Sequence, residues 1–328
     1  MNKNKITEVN LDNNAELDML VVSANPTLTD LDVSNNKKLT KLFASSSGLD
    51  SNELKLGDIS SLGYLNLYQN NLTSIDLSKN TGLIDLNLSL NDLDEGDIDF
   101  SKFPKLRRIY ASGNSISNVD LSNNIKLYDI DLYRNELGTI VLPKTSSLEI
   151  LKLSVNKLKS LDVFGNIGLK KLCVSSNNLT DLNLSSNSLL ESANIAFNSF
   201  TSPVKFANNN KISYLWIDES ALTSYNLRDF SQLKNLGTVY EMTIPVYGSE
   251  FYLGNIVNYI LSNISVSSYS LYNTFNGISE KYKIYDSIPD DSSETFSDVF
   301  GAPDSGEVSQ TELIKGTSDK SYKIQLLA

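Results

Sequence analysis

Histidine does not occur in this 328-residue chain. Its absence removes the side chain on which Ser-His-Asp and Cys-His nucleophiles, imidazole metal sites and most neutral-pH proton shuttles depend. Cysteine occurs once, at Cys173. One thiol makes neither an internal disulfide nor a multi-thiolate zinc site, and with no histidine to activate it the residue reads as a reduced, unreactive side chain. Positive charge is in deficit: 28 Lys and Arg stand against 39 Asp and Glu, a net charge of -11. Such a chain repels phosphate backbones and anionic lipid, which argues against nucleic acid and membrane surfaces as partners. Long apolar runs are missing too. No stretch reaches the roughly 18 apolar residues of a membrane-spanning helix, and MNKNKITEVNLDNN at the start has no apolar segment of the signal-peptide kind. An export signal, where one exists, is expected to have been trimmed ahead of Met1.

What the sequence does contain is a repeat. In the stretch LGYLNLYQNNLTSIDLSKNTGLIDLNLSLN, Leu62, Leu65, Leu67 and Asn70 fit LxxLxLxxN, and Ile75, Leu77 and Asn80 give a shorter echo. Leu83, Leu86, Leu88 and Asn91 then restart the first pattern 21 residues on. A fixed period of this length is the mark of a stacked solenoid, in which each turn buries its apolar side against its neighbours. The first clear turn is Leu17, Leu20, Val22, Asn25, and Ser47 takes the asparagine place in the next. The main series continues through Asn114, Asn135, Asn156, Asn177 and Asn198 to Ser220, about ten turns. The turn with DEGDIDFSKFP is longer than its neighbours, so a small bulge is expected near Asp94 to Pro104. Each turn should carry two extended segments, with Leu, Ile and Val inward and the intervening residues outward.

The pattern resembles bacterial leucine-rich repeats of the 21-residue class LxxLxLxxNxLxxLDLxxNxx, sometimes called IRREKO. The resemblance implies a β-rich solenoid, a leucine-rich-repeat right-handed superhelix, whose main-strand face is concave and binds partners. It also implies a surface or secreted protein of a bacterium that binds a host or neighbouring-cell protein, located outside the cell or on its surface. Residues 1–16 read as an N-terminal cap and 17–239 as the solenoid. Residues 240–328, where Tyr, Ser and Ile replace the Leu and Asn cadence, read as a C-terminal cap or small β-rich (α+β) domain. There EMTIPVY, YSLYNTF, KYKIYDS and SYKIQLLA look like strands, FYLGNIVNYILSN a short helix, and the Asp-, Ser-, Pro- and Gly-rich stretch between them a loop.

The asparagine column is expected to be structural: an inward carboxamide at a tight corner both donates to and accepts from backbone groups otherwise buried unpaired. Outward residues of the main strands vary from turn to turn, and the candidate partner-binding residues lie among them: Phe43, Tyr64, Tyr68, Asp85, Arg108, Tyr110, Asp129, Asp131, Tyr133, Lys152, Tyr214 and the single tryptophan, Trp216. Exposed aromatics favour a binding surface, although aromatics also stack along parallel sheets for stability alone. A second outward column, Asp32, Asp76, Asp99, Asp120 and Asp162, often precedes a serine by two residues and is read as local turn caps. A calcium row is weighed and set aside because the glycine-rich loops of β-rolls are missing. Asp129 and Asp131, with Asp85 nearby, are weighed as an acid/base pair for glycoside hydrolysis. On an open sheet face with no cleft to shift a pKa they carry no catalysis. Cys173 is expected to point outward. The reading is a non-enzymatic protein-binding module with no cofactor; a glycan-binding module using the same tyrosines with Asn66, Asn87 and Asp85, and a structural spacer, are the alternatives.

Overall fold

The computed structural model describes residues 5–94, 98–202, 204–206, 211–212, 214–217, 238–241, 282–285 and 323–326. The expected helix at 251–263, the strand at 269–275, the long loop after it, and Ser220 lie outside the described residues. The chain divides into two compact units, Met1–Ile150 and Leu151–Ala328.

In the first unit, each LxxLxL segment becomes a three-residue main strand. These are β1 (Met19–Val21), β3 (Lys41–Phe43), β5 (Tyr64–Asn66), β6 (Asp85–Asn87), β7 (Arg108–Tyr110) and β9 (Asp129–Asp131), and each pairs in parallel and in register with the next. Period-2 alternation turns the middle residue inward, so Leu20, Leu42, Leu65, Leu86, Ile109 and Ile130 form one buried column. The echo segments give shorter strands. Here β2 (Leu31–Asp32) pairs with β4 (Leu54–Lys55), and β8 (Asn118–Asp120) pairs with β10 (Thr139–Val141), again in parallel. The extra length of the turn after Asn91 is taken up in part by a 3-10 helix, Phe100–Lys102, capped by Asp99; residues 95–97 lie outside the description. Strand β11 (Ile150–Lys152) falls at the division of the units.

The second unit repeats the design with β12 (Lys171–Cys173), β13 (Ser192–Asn194), β14 (Tyr214–Ile217) and β15 (Thr238–Glu241) paired in parallel. Beyond them, β17 (Lys323–Leu326) pairs antiparallel with both β15 and β16 (Tyr282–Tyr285). These last two lie within the segments KYKIYDS and SYKIQLLA.

What holds one turn to the next is the asparagine ladder. Asn91 donates from Nδ2 to the carbonyls of Leu88 in its own turn (2.9 Å) and Leu67 in the turn before (3.0 Å), while its Oδ1 accepts from the Leu72 N–H at 3.1 Å. Asn70, Asn114 and Asn135 repeat this arrangement in the first unit, and Asn177 and Asn198 repeat it in the second. One carboxamide thus satisfies three backbone groups that cannot reach water. The echo asparagines do less. Asn124 donates to the carbonyls of Phe100 and Phe103, both at 2.9 Å, and its buried Oδ1 has no partner.

Directly ahead of each ladder position the backbone turns left-handed, at Ala24, Ser46, Gln69, Leu90, Gly113 and Arg134 in the first unit and at Val155, Ser176 and Phe197 in the second, with φ between 50° and 65°. Only one of these is glycine. A left-handed residue with a Cβ costs about 1–2 kcal/mol, and the cost is borne because this conformation sends the residue's N–H to the next turn, as Leu90 N–H does to Ser112 O at 2.7 Å.

Three stability differences follow and are read by urea denaturation. Asn91→Ala leaves the Leu72 N–H buried without its acceptor and should cost about 3 kcal/mol. Asn124→Ala should cost less than half of that, since the carbonyls it serves keep backbone donors from Phe103 and Leu106. Gly113→Ala should cost about 1 kcal/mol, because its φ is +65° and its new Cβ would stand 2.6 Å from Leu90 Cδ2, a side-chain tip able to move.

Candidate functional site

The register of the first unit aligns its outward residues in columns. Lys41, Tyr64, Asp85, Arg108 and Asp129 make one, and Phe43, Asn66, Asn87, Tyr110 and Asp131 make the next. Two residues beyond each strand lies a third: Ser45, Tyr68, Ser89, Ser112 and Tyr133.

The part of this face from Asp85 to Tyr133 is knitted together. Arg108 makes a two-pronged ion pair with Asp85, its register partner: Nε donates to Oδ1 at 3.0 Å and Nη2 to Oδ2. Those hydrogen bonds hold the guanidinium more firmly in its charged form. On the diagonal, the Tyr110 hydroxyl donates to Asp129 Oδ2 at 2.6 Å. Burial first, and then the Asp129 carboxylate, push the Tyr110 phenol well above its ordinary pKa. The guanidinium groups of Arg107 and Arg108 lie 5.6 and 5.9 Å from the centre of the Tyr128 ring. Asp129 and Tyr133 are only 9% exposed, which corrects the expectation of open, water-facing side chains at these two positions. Parallel strands stand about 4.8 Å apart, so large outward residues on adjacent turns cover one another.

From Lys41 to Ser89 the face is looser. Lys41 Nζ sits 5.5 Å from the centre of the Tyr64 ring, and Phe43, Tyr64, Asn66, Tyr68 and Asn87 are all partly exposed. Asn66 and Asn87 each turn Oδ1 back to the backbone, accepting from the N–H of Tyr68 and of Ser89 at 3.0 Å, and Asp131 does the same for Tyr133 at 3.1 Å. Where this column holds an aromatic residue instead, a serine from the preceding turn supplies the acceptor. Ser23 Oγ serves the Ser45 N–H past Phe43, and Ser89 Oγ serves the Ser112 N–H past Tyr110, both at 3.1 Å. Asn66 and Asn87, expected as hydrogen-bonding partners of a glycan, thus have Oδ1 engaged by the backbone, a cap not anticipated from the sequence; its signal is an Asx in this column or a Ser one turn earlier, at each turn from Phe43 to Asp131.

Elsewhere the candidates scatter. Lys152 lies on β11. Tyr214 and Trp216 lie on β14, their backbones paired with Ser192 and Asn194, and their side chains are outside the description. Cys173 corrects another expectation: it holds an outward register position yet is fully buried, behaving as a small apolar side chain. Ser175, Ser192, Asn194 and Ala196, at other outward positions of this unit, are buried with it. On the echo side of the first unit a cavity of about 510 Å³ lies beside β4, lined by Leu56, Leu72 and Ile75 together with Lys55 and Lys79.

The aspartate column caps turns, as its spacing implies. Asp32, Asp76, Asp99 and Asp120 each accept from the backbone N–H two residues on, at 2.8–3.1 Å. Hydrogen bonds from those serines hold all four carboxyls below the ordinary carboxylate range; the serine hydroxyl leads for Asp32 and Asp99, and the backbone N–H for Asp76 and Asp120.

No protein-family model and no curated protein matches the chain. Solved structures do. The functional domain of internalin J from Listeria monocytogenes, described as including a cysteine ladder, is 25% identical with a TM-score of 0.66, over 75% of this chain and 54% of that one. The fold is that of a leucine-rich-repeat protein. Where internalin J is said to have cysteines, this leucine-rich-repeat chain has a single one, and its ladder is of asparagine. An internalin, inlF, of the same organism is 20% identical with a TM-score of 0.62, over 73% of this chain and 72% of that one. The Arabidopsis receptor kinase HAESA, solved with the peptide hormone IDA and the co-receptor SERK1, is 16% identical with a TM-score of 0.50, over 71% of this chain and 46% of that one. The chain spans about half the length of the internalin J domain.

Because the folded pKa of the capping aspartates is depressed, their contribution to stability is complete above the unfolded carboxylate pKa, near 4, and is lost as pH falls through the lower folded value. The urea midpoint should therefore be flat from neutral pH to about 5 and decline below about 4. Asp120→Asn keeps the cap but loses the charge, so it should lower the midpoint slightly at pH 7 and weaken the acid decline by the same amount. Asn183 already performs the same cap, accepting from the Ser185 N–H at 3.1 Å.

Proposed function

We propose that this chain is a non-enzymatic protein-binding module of a bacterial surface or secreted protein, of the 21-residue leucine-rich-repeat class, which recognises a host or neighbouring-cell protein on the main-strand face. The observation that carries the reading is the partly exposed aromatic group of Phe43, Tyr64 and Tyr68 on the first unit, set on a rigid backbone frame. Aromatics held at a surface on fixed strands lose little conformational freedom on binding and are the residues that dominate interface energies. Likeness in fold to internalins and to a receptor solved with a peptide hormone supports the same reading.

Among the described residues no helix is long and apolar enough to cross a membrane. The organisation proposed with this function is an N-terminal cap at 1–16, a solenoid at 17–239 and a C-terminal cap or small domain at 240–328. Lys152, Tyr214 and Trp216 belong to the proposed partner-binding set, while Arg108, Tyr110, Asp129, Asp131 and Tyr133 serve it chiefly by fixing the face.

The test is capture of a partner from host surface extracts by the intact protein beside a Tyr64→Ala, Tyr68→Ala variant whose circular dichroism is unchanged. A partner held by the intact protein and weakened by about 2 kcal/mol or more in the variant is the expected outcome. Equal capture by both moves recognition off this face.

A further inference from the structure

The main-strand face of the first unit falls into two halves that differ in what their polar atoms are doing. From Arg108 to Tyr133 the outward side chains engage one another and the backbone, through the Asp85 ion pair, the Tyr110 hydroxyl on Asp129 and the Asp131 cap. From Lys41 to Ser89 the amide and carboxylate acceptors are consumed and the donors are left over. Asn66 Oδ1 and Asn87 Oδ1 are taken by backbone N–H groups, and Asp85 gives both oxygens to Arg108. Among the described residues, Asn66 Nδ2, Asn87 Nδ2 and the hydroxyls of Tyr64 and Tyr68 make no hydrogen bond, and Lys41 has no carboxylate partner, only the Tyr64 ring.

We infer that this donor-rich half takes an acidic peptide segment of the partner protein, with a carboxylate toward Lys41 and carbonyl oxygens on Asn66 and Asn87, laid against Phe43, Tyr64 and Tyr68. The inference rests on the protein-binding reading above and deepens it. Hydrogen bonds to a charged acceptor are roughly twice as strong as neutral ones, and carboxylate and carbonyl oxygens accept without bringing a proton of their own. A neutral sugar brings a proton with every hydroxyl and would find the amide and carboxylate oxygens of this half already engaged, which ranks it behind a peptide. The net charge of -11 opposes the approach of any acidic segment. That repulsion is screened beyond about 10 Å at 0.1 M salt, so the attraction is local and tied to Lys41.

The experiment selects binders from a surface-displayed random dodecapeptide library on the intact chain, with heparin as a sulfated-glycan probe alongside. The peptides are then measured by fluorescence polarisation against three variants. Asn66→Asp with Asn87→Asp keeps the Oδ1 caps, as Asp131 does naturally, while replacing both free donors with anionic oxygens. Lys41→Gln removes the cation, and Tyr64→Ala with Tyr68→Ala removes the aromatic platform. Each variant is checked for an unchanged urea midpoint. Expected are peptides enriched in Asp and Glu, with affinity reduced by about tenfold or more in the first two variants. Neutral or basic selected peptides, no peptide enriched over a protein-free control, or heparin binding in their place with the same variant dependence would each overturn the inference. Peptide binding kept by the asparagine variant but lost by the tyrosine variant overturns the acidic specificity and leaves the face reading standing. Binding kept by both overturns both.

Discussion

The structure depends on one recurring constraint: at the ends of the main strands from β1 to β13 the chain must reverse inside an apolar stack without stranding its amides and carbonyls. The ladder carboxamide meets it by joining its own strand, the strand before and the descending arm of the previous turn. The left-handed residue ahead of it is tolerated because the reversal gives that residue's N–H a place in the next turn. Stability is thus concentrated in a few inward positions that repeat, and the outward positions are released from it.

The two outward columns spend that freedom differently. On the echo side the aspartates stay close to home, each closing a turn through the N–H two residues ahead, so a row that looks like a metal ladder is a set of separate caps. On the main side the same economy of caps, by Asx or by an earlier serine, decides which polar atoms are left to meet a partner. A side chain's outward direction therefore does not make it a contact. Tyr110 and Asp129 point outward and hold each other, whereas Asn66 and Tyr68 point outward with a donor to spare.

The repeat, the inward columns, the asparagine ladder and the aspartate caps are legible in the sequence because each is a fixed residue type at a fixed spacing. Depth is not. Period-2 alternation gives the direction of Asp129, Tyr133 and Cys173 but says nothing of how far the adjacent turns cover them. Left-handed geometry at Leu90, Arg134 and Val155 leaves no trace in residue type, since only Gly113 carries the usual glycine. The Asp85 pair with Arg108 is recoverable in hindsight by aligning successive turns, because the two are register partners; the diagonal from Tyr110 to Asp129 needs side-chain reach as well as register.

The central claim is that recognition sits on the main-strand face of the first unit, at the turns whose donors are unspent. Hydrogen–deuterium exchange of the intact chain with and without its captured partner tests this most directly. The account predicts added protection in the segments 41–45, 64–68 and 85–89, with exchange at the echo caps near Ser78 and Ser122 unchanged. Protection confined to the echo side, or to the second unit, would contradict it.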